Sequence, residues 1–255
     1  MLHLRKYIGN ITTVFIIMLV YSCTPPLYIP NTANVPVLLK QGDLEVGIST
    51  GSNGWDAQLA TAVTDNIGVM LNGSFANTAG NDRKDYHKHH FTEMGIGYTY
   101  ILNTEDVEES KMKYFISGFV GGGMGKTSGV VEFNEFFGSD TIVNSLSGDY
   151  SRIYFQPFIG MSNKHMSLTF STRISRVSFS SITYDLSWAS SYDQQSPRNN
   201  IFYEPTVTFK IGGKYVKFFT QIGVSVGHYG NAESGFKQRP SIGIIGIQGS
   251  LNWKK

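Results

Sequence analysis

The chain has 255 residues and a formal net charge of +2, with 21 Lys and Arg residues against 19 Asp and Glu residues. Because this balance lacks the basic excess of nucleic-acid-binding domains, we expect no nucleic-acid partner. The composition includes 28 Gly, 17 Phe and 14 Tyr. Glycines and aromatics in alternation favour strands over helices.

The N-terminus has the pattern of an export signal. Arg5 and Lys6 precede an apolar stretch at 11–20, which is too short to span a bilayer because a transmembrane helix needs roughly 20 residues. Cys23 follows this stretch and is the single cysteine. This arrangement resembles the lipobox of bacterial lipoproteins, which implies that residues 1–22 are a signal peptide and that Cys23 carries acyl chains such as palmitate. The alternative is a buried free thiol in an uncleaved chain.

The next segment, residues 23–42, contains four prolines between positions 25 and 36. Proline disfavours regular structure in such a segment. We therefore predict a lipidated tether over 23–42 and a β-barrel domain over 43–255.

Two short runs in the tether resemble a known group of proteins. Residues 28–31 (Tyr-Ile-Pro-Asn) and 34–39 (Asn-Val-Pro-Val-Leu-Leu) resemble the start of an uncharacterised Bacteroidetes outer-membrane β-barrel lipoprotein family. The resemblance covers about residues 20–45 and implies a lipid-anchored protein of the bacterial outer membrane. Because no acidic run follows Cys23, an anchor on the periplasmic side is expected.

The rest of the chain alternates apolar and polar residues with a period of two, which predicts half-exposed strands. In 166–179 the alternation changes phase, and a bulge near Ser175 and Arg176 is expected. The ten predicted strands are 44–51, 55–64, 67–76, 91–102, 113–124, 152–162, 166–179, 201–211, 216–227 and 242–253.

The connections between these strands are sorted by length. Most short turns fall at one end of the strands, and the long loops at 77–90, 126–150, 183–200 and 228–239 fall at the other. Short periplasmic turns and long outer loops are typical of outer-membrane barrels. The predicted fold is therefore all-β, an antiparallel up-and-down transmembrane β-barrel of about ten strands.

The polar faces of the strands carry charges of both signs, as expected of a narrow lumen in which charges pair. These residues are Glu45, Asp56, Glu93, Arg152, Arg173, Lys210 and Lys217. Aromatic residues at the strand ends resemble the girdles of a membrane barrel. They are Trp55 and Tyr203 at the outer ends, and Tyr100, Tyr114 and Trp253 at the inner ends. Ten strands predict a mostly filled interior, although a narrow conduit for small solutes remains open.

No cofactor site is predicted. The run 121–127 superficially resembles a phosphate-binding P-loop, but Val120 stands where that motif requires glycine and no helical pattern follows. A Gly-rich strand end is the preferred interpretation.

Asp85, His87 and His89 cluster in the predicted loop 77–90. Imidazoles and a carboxylate suit a Zn²⁺ or Cu²⁺ site, and the same groups could serve as base and orienting residue in a hydrolase. A hydrolase also needs a nucleophile beside a histidine, which the sequence does not identify. We therefore predict a solvated polar loop with neither metal binding nor catalysis.

Together these patterns predict a lipid-anchored outer-membrane barrel that is not an enzyme and has a structural, binding or limited-transport role. Its expected partners are outer-membrane lipid, the barrel-insertion and lipoprotein-sorting machineries, and an extracellular ligand at the long loops, where Phe136, Phe137 and Trp188 lie. One alternative is a soluble, lipid-tethered barrel that binds an apolar ligand. Another is a hydrolase or lipid-modifying enzyme that uses the histidine and aspartate residues of 78–90.

Overall fold

The architecture comes from a computed structural model of the chain. The residues that it describes are 28–52, 54–79, 85–103, 112–134, 141–186, 189–193, 198–229 and 240–254. Within these ranges, no helix is both long and apolar enough to cross a membrane.

Twelve strands are present in the described ranges. They are β1 (Asp43–Gly51), β2 (Gly54–Ala62), β3 (Ile67–Ala79), β4 (Asp85–Ile101), β5 (Lys113–Asn134), β6 (Thr141–Ser162), β7 (Met166–Leu186), β8 (Ala189–Asp193), β9 (Arg198–Gly212), β10 (Val216–Val224), β11 (Val226–Tyr229) and β12 (Ser241–Asn252).

Ten of these strands form a closed antiparallel ring. From β1 to β7, each strand pairs with the next one in sequence. β9 pairs with β10, β10 with β12 and β12 with β1, and the pairing of β7 with β9 closes the ring. The other two strands extend the wall: β8 pairs with β7, and β11 continues β10 beyond Ser225 and pairs with β9. The predicted all-β barrel of about ten antiparallel strands is confirmed.

The two ends of the barrel differ. We call one the turn end, because connections at 63–66, 163–165 and 213–215 join strands there, and the opposite one the loop end. Strands β4 to β7 contain 17 to 22 residues and form a high wall. A low wall consists of β1, β2, β10 and β12, which contain 9 to 12 residues. A membrane crossing needs roughly 9–11 residues, so the high wall projects beyond the membrane at the loop end.

The predicted long loops at 77–90 and 126–150 are therefore largely strand. β3 continues to Ala79, β4 begins at Asp85, and β5 and β6 leave only residues 135–140 between them. The Gly-rich run 121–127 lies inside β5. This agrees with its interpretation as strand.

The outer surface of the ring is apolar. Outward-facing Ile96, Val120, Phe155 and Ile222 are each about half exposed or more. The inward positions hold polar residues, as the sequence predicts for a membrane barrel, together with buried aromatic residues such as Phe115 and Phe119. The five predicted girdle aromatics also point outward, with exposures between 48% and 60%; they are Trp55, Tyr100, Tyr114, Tyr203 and Trp253.

The bulge predicted near Ser175 and Arg176 lies further along β7, at Ser180, which the register skips between the pairs Tyr150–Phe179 and Asp149–Ser181. Ser175 and Val177 both face the lumen with no change of phase, and the register between β6 and β7 shifts further on, at Asp149 and Tyr150. The sequence was misleading because Val177 and Phe179 are apolar residues on the inward face. There they pack in the lumen instead of facing lipid.

Replacement of Val120 by Arg tests the outer surface. Val120 lies within the apolar run of β5, and a cation at the bilayer midplane costs about 2–4 kcal/mol. We expect the free energy of unfolding in lipid vesicles to fall by that amount. The measurement is a denaturant titration in which the folded fraction is read from the difference in gel mobility between unheated and heated samples. Ser128→Arg, an outward position of β5 closer to the loop end, is the control and should have a small effect. Equal losses for both variants would contradict a membrane belt at this level.

Candidate functional site in the barrel lumen

The lumen is filled by the chain's own N-terminal segment, residues 28–39, which we call the plug. Tyr28 lies on the loop-end side of the plug, and Leu39 lies at the turn end, where Asp43 accepts its backbone N–H at 2.9 Å. Gly42 then reverses the chain into β1, with a φ of 88° that favours glycine. The predicted tether thus has its C-terminal part inside the barrel.

The plug has almost no regular structure, so the wall provides partners for its backbone. Gln221 of β10 donates to the Ala33 carbonyl and accepts the Ala33 N–H, both at 2.9 Å. Gln156 donates to Asn34 O at 2.6 Å, and Lys210 donates to Val35 O at 3.0 Å. A buried backbone group without a partner is costly. These wall residues therefore lower the cost of placing an irregular segment in the lumen.

Four charges meet beside the plug in a buried cluster. Glu93 of β4 pairs with Arg152 of β6 and lies 3.6 Å from Arg173 of β7. Arg173 in turn donates to Glu204 of β9 at 2.6 Å. All four side chains are at most 1% exposed. We call these residues the charge cluster, and the two cations balance the two anions.

The plug completes the charge cluster. Tyr28 donates its hydroxyl to Glu204 at 2.9 Å and accepts from Arg152 at 2.8 Å. Asn31 donates to Glu93 at 3.0 Å and accepts from Arg152 at 2.7 Å, while its carbonyl accepts from Arg173 at 2.9 Å. Because charged hydrogen bonds are the stronger kind, these contacts fix the loop-end half of the plug.

Apolar layers lie on both sides of the charge cluster. Towards the loop end, Tyr28 stacks on Phe202 at 4.4 Å between ring centroids, in a cluster with Phe91, Tyr150, Val177 and Phe179. Towards the turn end, the plug residues Val35 and Leu38 pack against a second cluster that includes Phe115, Phe119 and Phe158. The alternation of apolar and polar residues does not predict these inward aromatics.

Glycines in the wall were the available signal for these aromatics. A Cβ at Gly97 would lie 2.4 Å from the Phe119 ring, and one at Gly121 would lie 2.4 Å from the Tyr154 hydroxyl. The Gly-rich inward face of β4 and β5 therefore makes room for large rings.

The predicted lumen residues all lie on the inner face. Besides the charge cluster, Lys210 pairs with Glu45 at 3.3 Å, and Asp56 accepts the backbone N–H and hydroxyl of Thr32 in the plug. Lys217 is partly buried and donates to the Asn163 carbonyl at 3.3 Å. The expected pairing of charges across the lumen is thus present, with the plug as an additional participant.

His87 and His89 do not lie in a loop. They occupy two successive inward positions of β4 and are buried. The Nε2 atom of His87 lies 3.0 Å from Nδ1 of His89, and Nε2 of His89 lies 2.9 Å from the Ser74 hydroxyl of β3. The structure therefore brings a serine beside the histidine pair. Asp85 begins β4, and its side chain is outside the described part of the chain.

Among the described residues, no group of three or more His, Cys, Asp or Glu side chains could hold a metal ion. Several other predicted features fall outside the described residues. They are the signal peptide, Cys23, and the loop aromatics Phe136, Phe137 and Trp188.

Solved structures share this architecture at low similarity. The translocator domain of the autotransporter NalP from Neisseria meningitidis matches 82% of the chain and 86% of its own length, at 8% identity and a TM-score of 0.40. LpxR from Salmonella typhimurium matches 83% of the chain and 100% of its own length, at 8% identity and a TM-score of 0.36. No protein-family model and no curated protein matches the chain.

The sequence-based prediction that the protein is not an enzyme is wrong. LpxR, one of the matched barrels, is an outer-membrane enzyme.

Replacement of Glu93 by Gln tests the charge cluster. The change leaves Arg152 and Arg173 buried against one carboxylate, and breaking a buried ion pair costs about 3–5 kcal/mol. We expect the free energy of unfolding to fall by this amount in denaturant titration. Asp149→Asn is the control, because it removes an exposed pair with Lys126 at 3.4 Å and should cost less than about 1 kcal/mol. Similar losses for both variants would contradict the role of the charge cluster.

Proposed function

We propose that the protein is a plugged barrel of the bacterial outer membrane, with a binding or structural role in the cell envelope. The observation that carries this proposal is the plug, which occupies the lumen in place of an aqueous channel. In keeping with the sequence patterns, we also propose that a signal peptide is removed and that Cys23 is acylated. Lipoprotein-sorting and barrel-insertion machineries would then be the partners of its assembly.

The plug argues against passive diffusion through the barrel. Its residues Asn31, Thr32, Ala33 and Val35 are each at most 3% exposed. A cavity of about 420 Å³ lies at the turn end, with Val37 and Leu39 of the plug in its lining. A solute from that side would meet the plug first. Limited transport would therefore require the plug to leave the lumen.

The distribution of polarity argues against the soluble alternative. A soluble barrel that carries an apolar ligand would need a polar exterior and an apolar cavity. Here Val46, Phe218 and Ile245 are exposed on the exterior, while Arg173 and Glu204 are buried inside. Exposure of so much contiguous apolar surface to water would favour aggregation.

The direction of the plug restricts the position of the proposed anchor. Tyr28 binds Glu204, which precedes Gly212 at the turn end by eight residues, or about 26 Å along the strand. Cys23 precedes Tyr28 by five residues, which span at most about 18 Å. Because the plug already occupies the path through the lumen to the turn end, we propose that Cys23 lies towards the loop end.

The low wall offers a route from this end of the lumen to the membrane. β1 ends at Gly51 and β2 begins at Gly54. The adjacent plug residue Thr32 contacts Ser49 of β1 and Asp56 of β2. An acyl chain on Cys23 could therefore cross the rim there and enter the outer leaflet. This placement is opposite to the periplasmic side expected from the sequence.

Removal of the plug from the full chain tests the closed lumen. We expect the wild-type protein in planar lipid bilayers to show no steady conductance. Deletion of residues 28–37 should produce small, steady channels, because the lumen loses the segment that fills it. Asn31→Ala, which keeps the backbone of the plug, is the matched control and should remain closed. Steady channels in the wild-type protein would contradict the proposal.

A protease-cleavable sequence inserted after Thr24 tests the side of the anchor. We expect site-specific protease added to intact cells to cut the insertion, because the loop end faces outward. The same insertion in the turn at 163–165 is the control and should be cut only after the outer membrane is permeabilised. In Cys23→Ala, the barrel should still require detergent for extraction. Protection of the first site in intact cells would contradict a surface anchor.

A further inference from the structure

The Ser74, His89 and His87 side chains form a continuous hydrogen-bonded array on the inner wall. Ser74 Oγ lies 2.9 Å from His89 Nε2, and His89 Nδ1 lies 3.0 Å from His87 Nε2. The register explains this proximity: Ser74 is opposite Phe91, and His89 is the next inward residue of β4. Two strands of a rigid sheet therefore hold all three groups.

These distances are those of a nucleophile, a base and a residue that orients the base. When His89 carries its proton on Nδ1 and donates it to His87, the lone pair on Nε2 faces the Ser74 hydroxyl. His89 can then accept the serine proton, and His87 stabilises the imidazolium that forms. His87 is thus a positioning residue that acts through His89.

An aromatic ring and a buried carboxylate flank Ser74 on the neighbouring strands. Phe91, directly across the register from Ser74, provides an aromatic wall next to the serine. On the other side, Asp56 pairs with Ser74 in the register and is held by Thr32 of the plug. Asn72, the preceding inward residue of β3, donates to Glu93 at 2.9 Å. Ser74 is the next inward residue of β3 after Asn72, so the array lies next to the charge cluster on its loop-end side.

We propose that Ser74, His89 and His87 form a hydrolytic site for carboxylic esters that enter from the loop end. Ser74 Oγ bonds to the ester carbonyl carbon while His89 takes the hydroxyl proton. The bond from this carbon to the alkoxy oxygen then breaks, and the leaving alcohol receives that proton. Water attacks the acyl-serine with His89 as base, which releases the carboxylic acid and returns the proton to Ser74.

The test uses the full-length protein, purified and folded in detergent. A fluorophosphonate probe should label the wild type at Ser74, and p-nitrophenyl butyrate should be hydrolysed. Ser74→Ala should abolish the labelling and lower the rate of hydrolysis at least about 10³-fold, because the nucleophile is lost. Ser117→Ala is the matched control: Ser117 is also a buried lumen serine, and its hydroxyl bonds Thr99 at 2.8 Å.

Substitution of the histidines distinguishes a catalytic role of the array from a structural one. His89→Gln should abolish hydrolysis, whereas His90→Gln, which changes an exposed residue of the same strand, should leave it unchanged. His87→Gln should lower kcat and shift the pH profile of hydrolysis with little change in KM. Heat-modifiable mobility confirms folding of each variant.

Two results would overturn the proposal. One is a folded wild-type protein that neither binds the probe nor hydrolyses the ester. The other is a folded Ser74→Ala variant that reacts at the wild-type rate. Neither result bears on the closed lumen, which the conductance experiment tests separately.

Discussion

The rest of the structure depends on the neutralisation of the buried charges. Arg152 and Arg173 are at most 1% exposed, and a buried cation without a partner is costly. Their partners Glu93 and Glu204 come from other strands, so the charge cluster is complete only when the ring is closed. Tyr28 and Asn31 of the plug add further hydrogen bonds to these arginines and glutamates. Closure of the barrel and docking of the plug are therefore coupled.

The composition of the plug suits this position. Pro30 and Pro36 have no backbone N–H, so the lumen has fewer donors to satisfy. Three of the four residues after Pro30 have short polar side chains opposite the polar wall: Asn31, Thr32 and Asn34. Val35 and Leu38 are apolar and lie opposite the aromatic cluster near the turn end. A regular strand or helix would satisfy its own backbone. This segment instead relies on Gln221, Gln156 and Lys210, and those contacts fix its register against the barrel.

The sequence predicts the membrane part of the wall well, because there the two faces of each strand meet different solvents. Beyond the membrane this contrast is lost: Lys88 and His90 face outward and are exposed, while His87 and His89 between them face the lumen. With polar residues on both faces, the period of two disappears, and the sequence pattern therefore predicts a loop at 77–90. The plug was missed for another reason. Its partners are distant in sequence, as with Ala33 and Gln221, and a Pro-rich segment gives no sign of what it packs against.

The plug also changes what the lumen can do. A barrel open at both ends provides a path, whereas here the plug closes the lumen beside the charge cluster. Ser74 of β3 and His89 of β4 lie on the loop-end side of that closure, next to Phe91. A molecule that enters there can contact the array and must leave by the same route. The segment that closes the barrel to transport also borders the serine–histidine array, because Thr32 contacts Asp56, which pairs with Ser74 in the register.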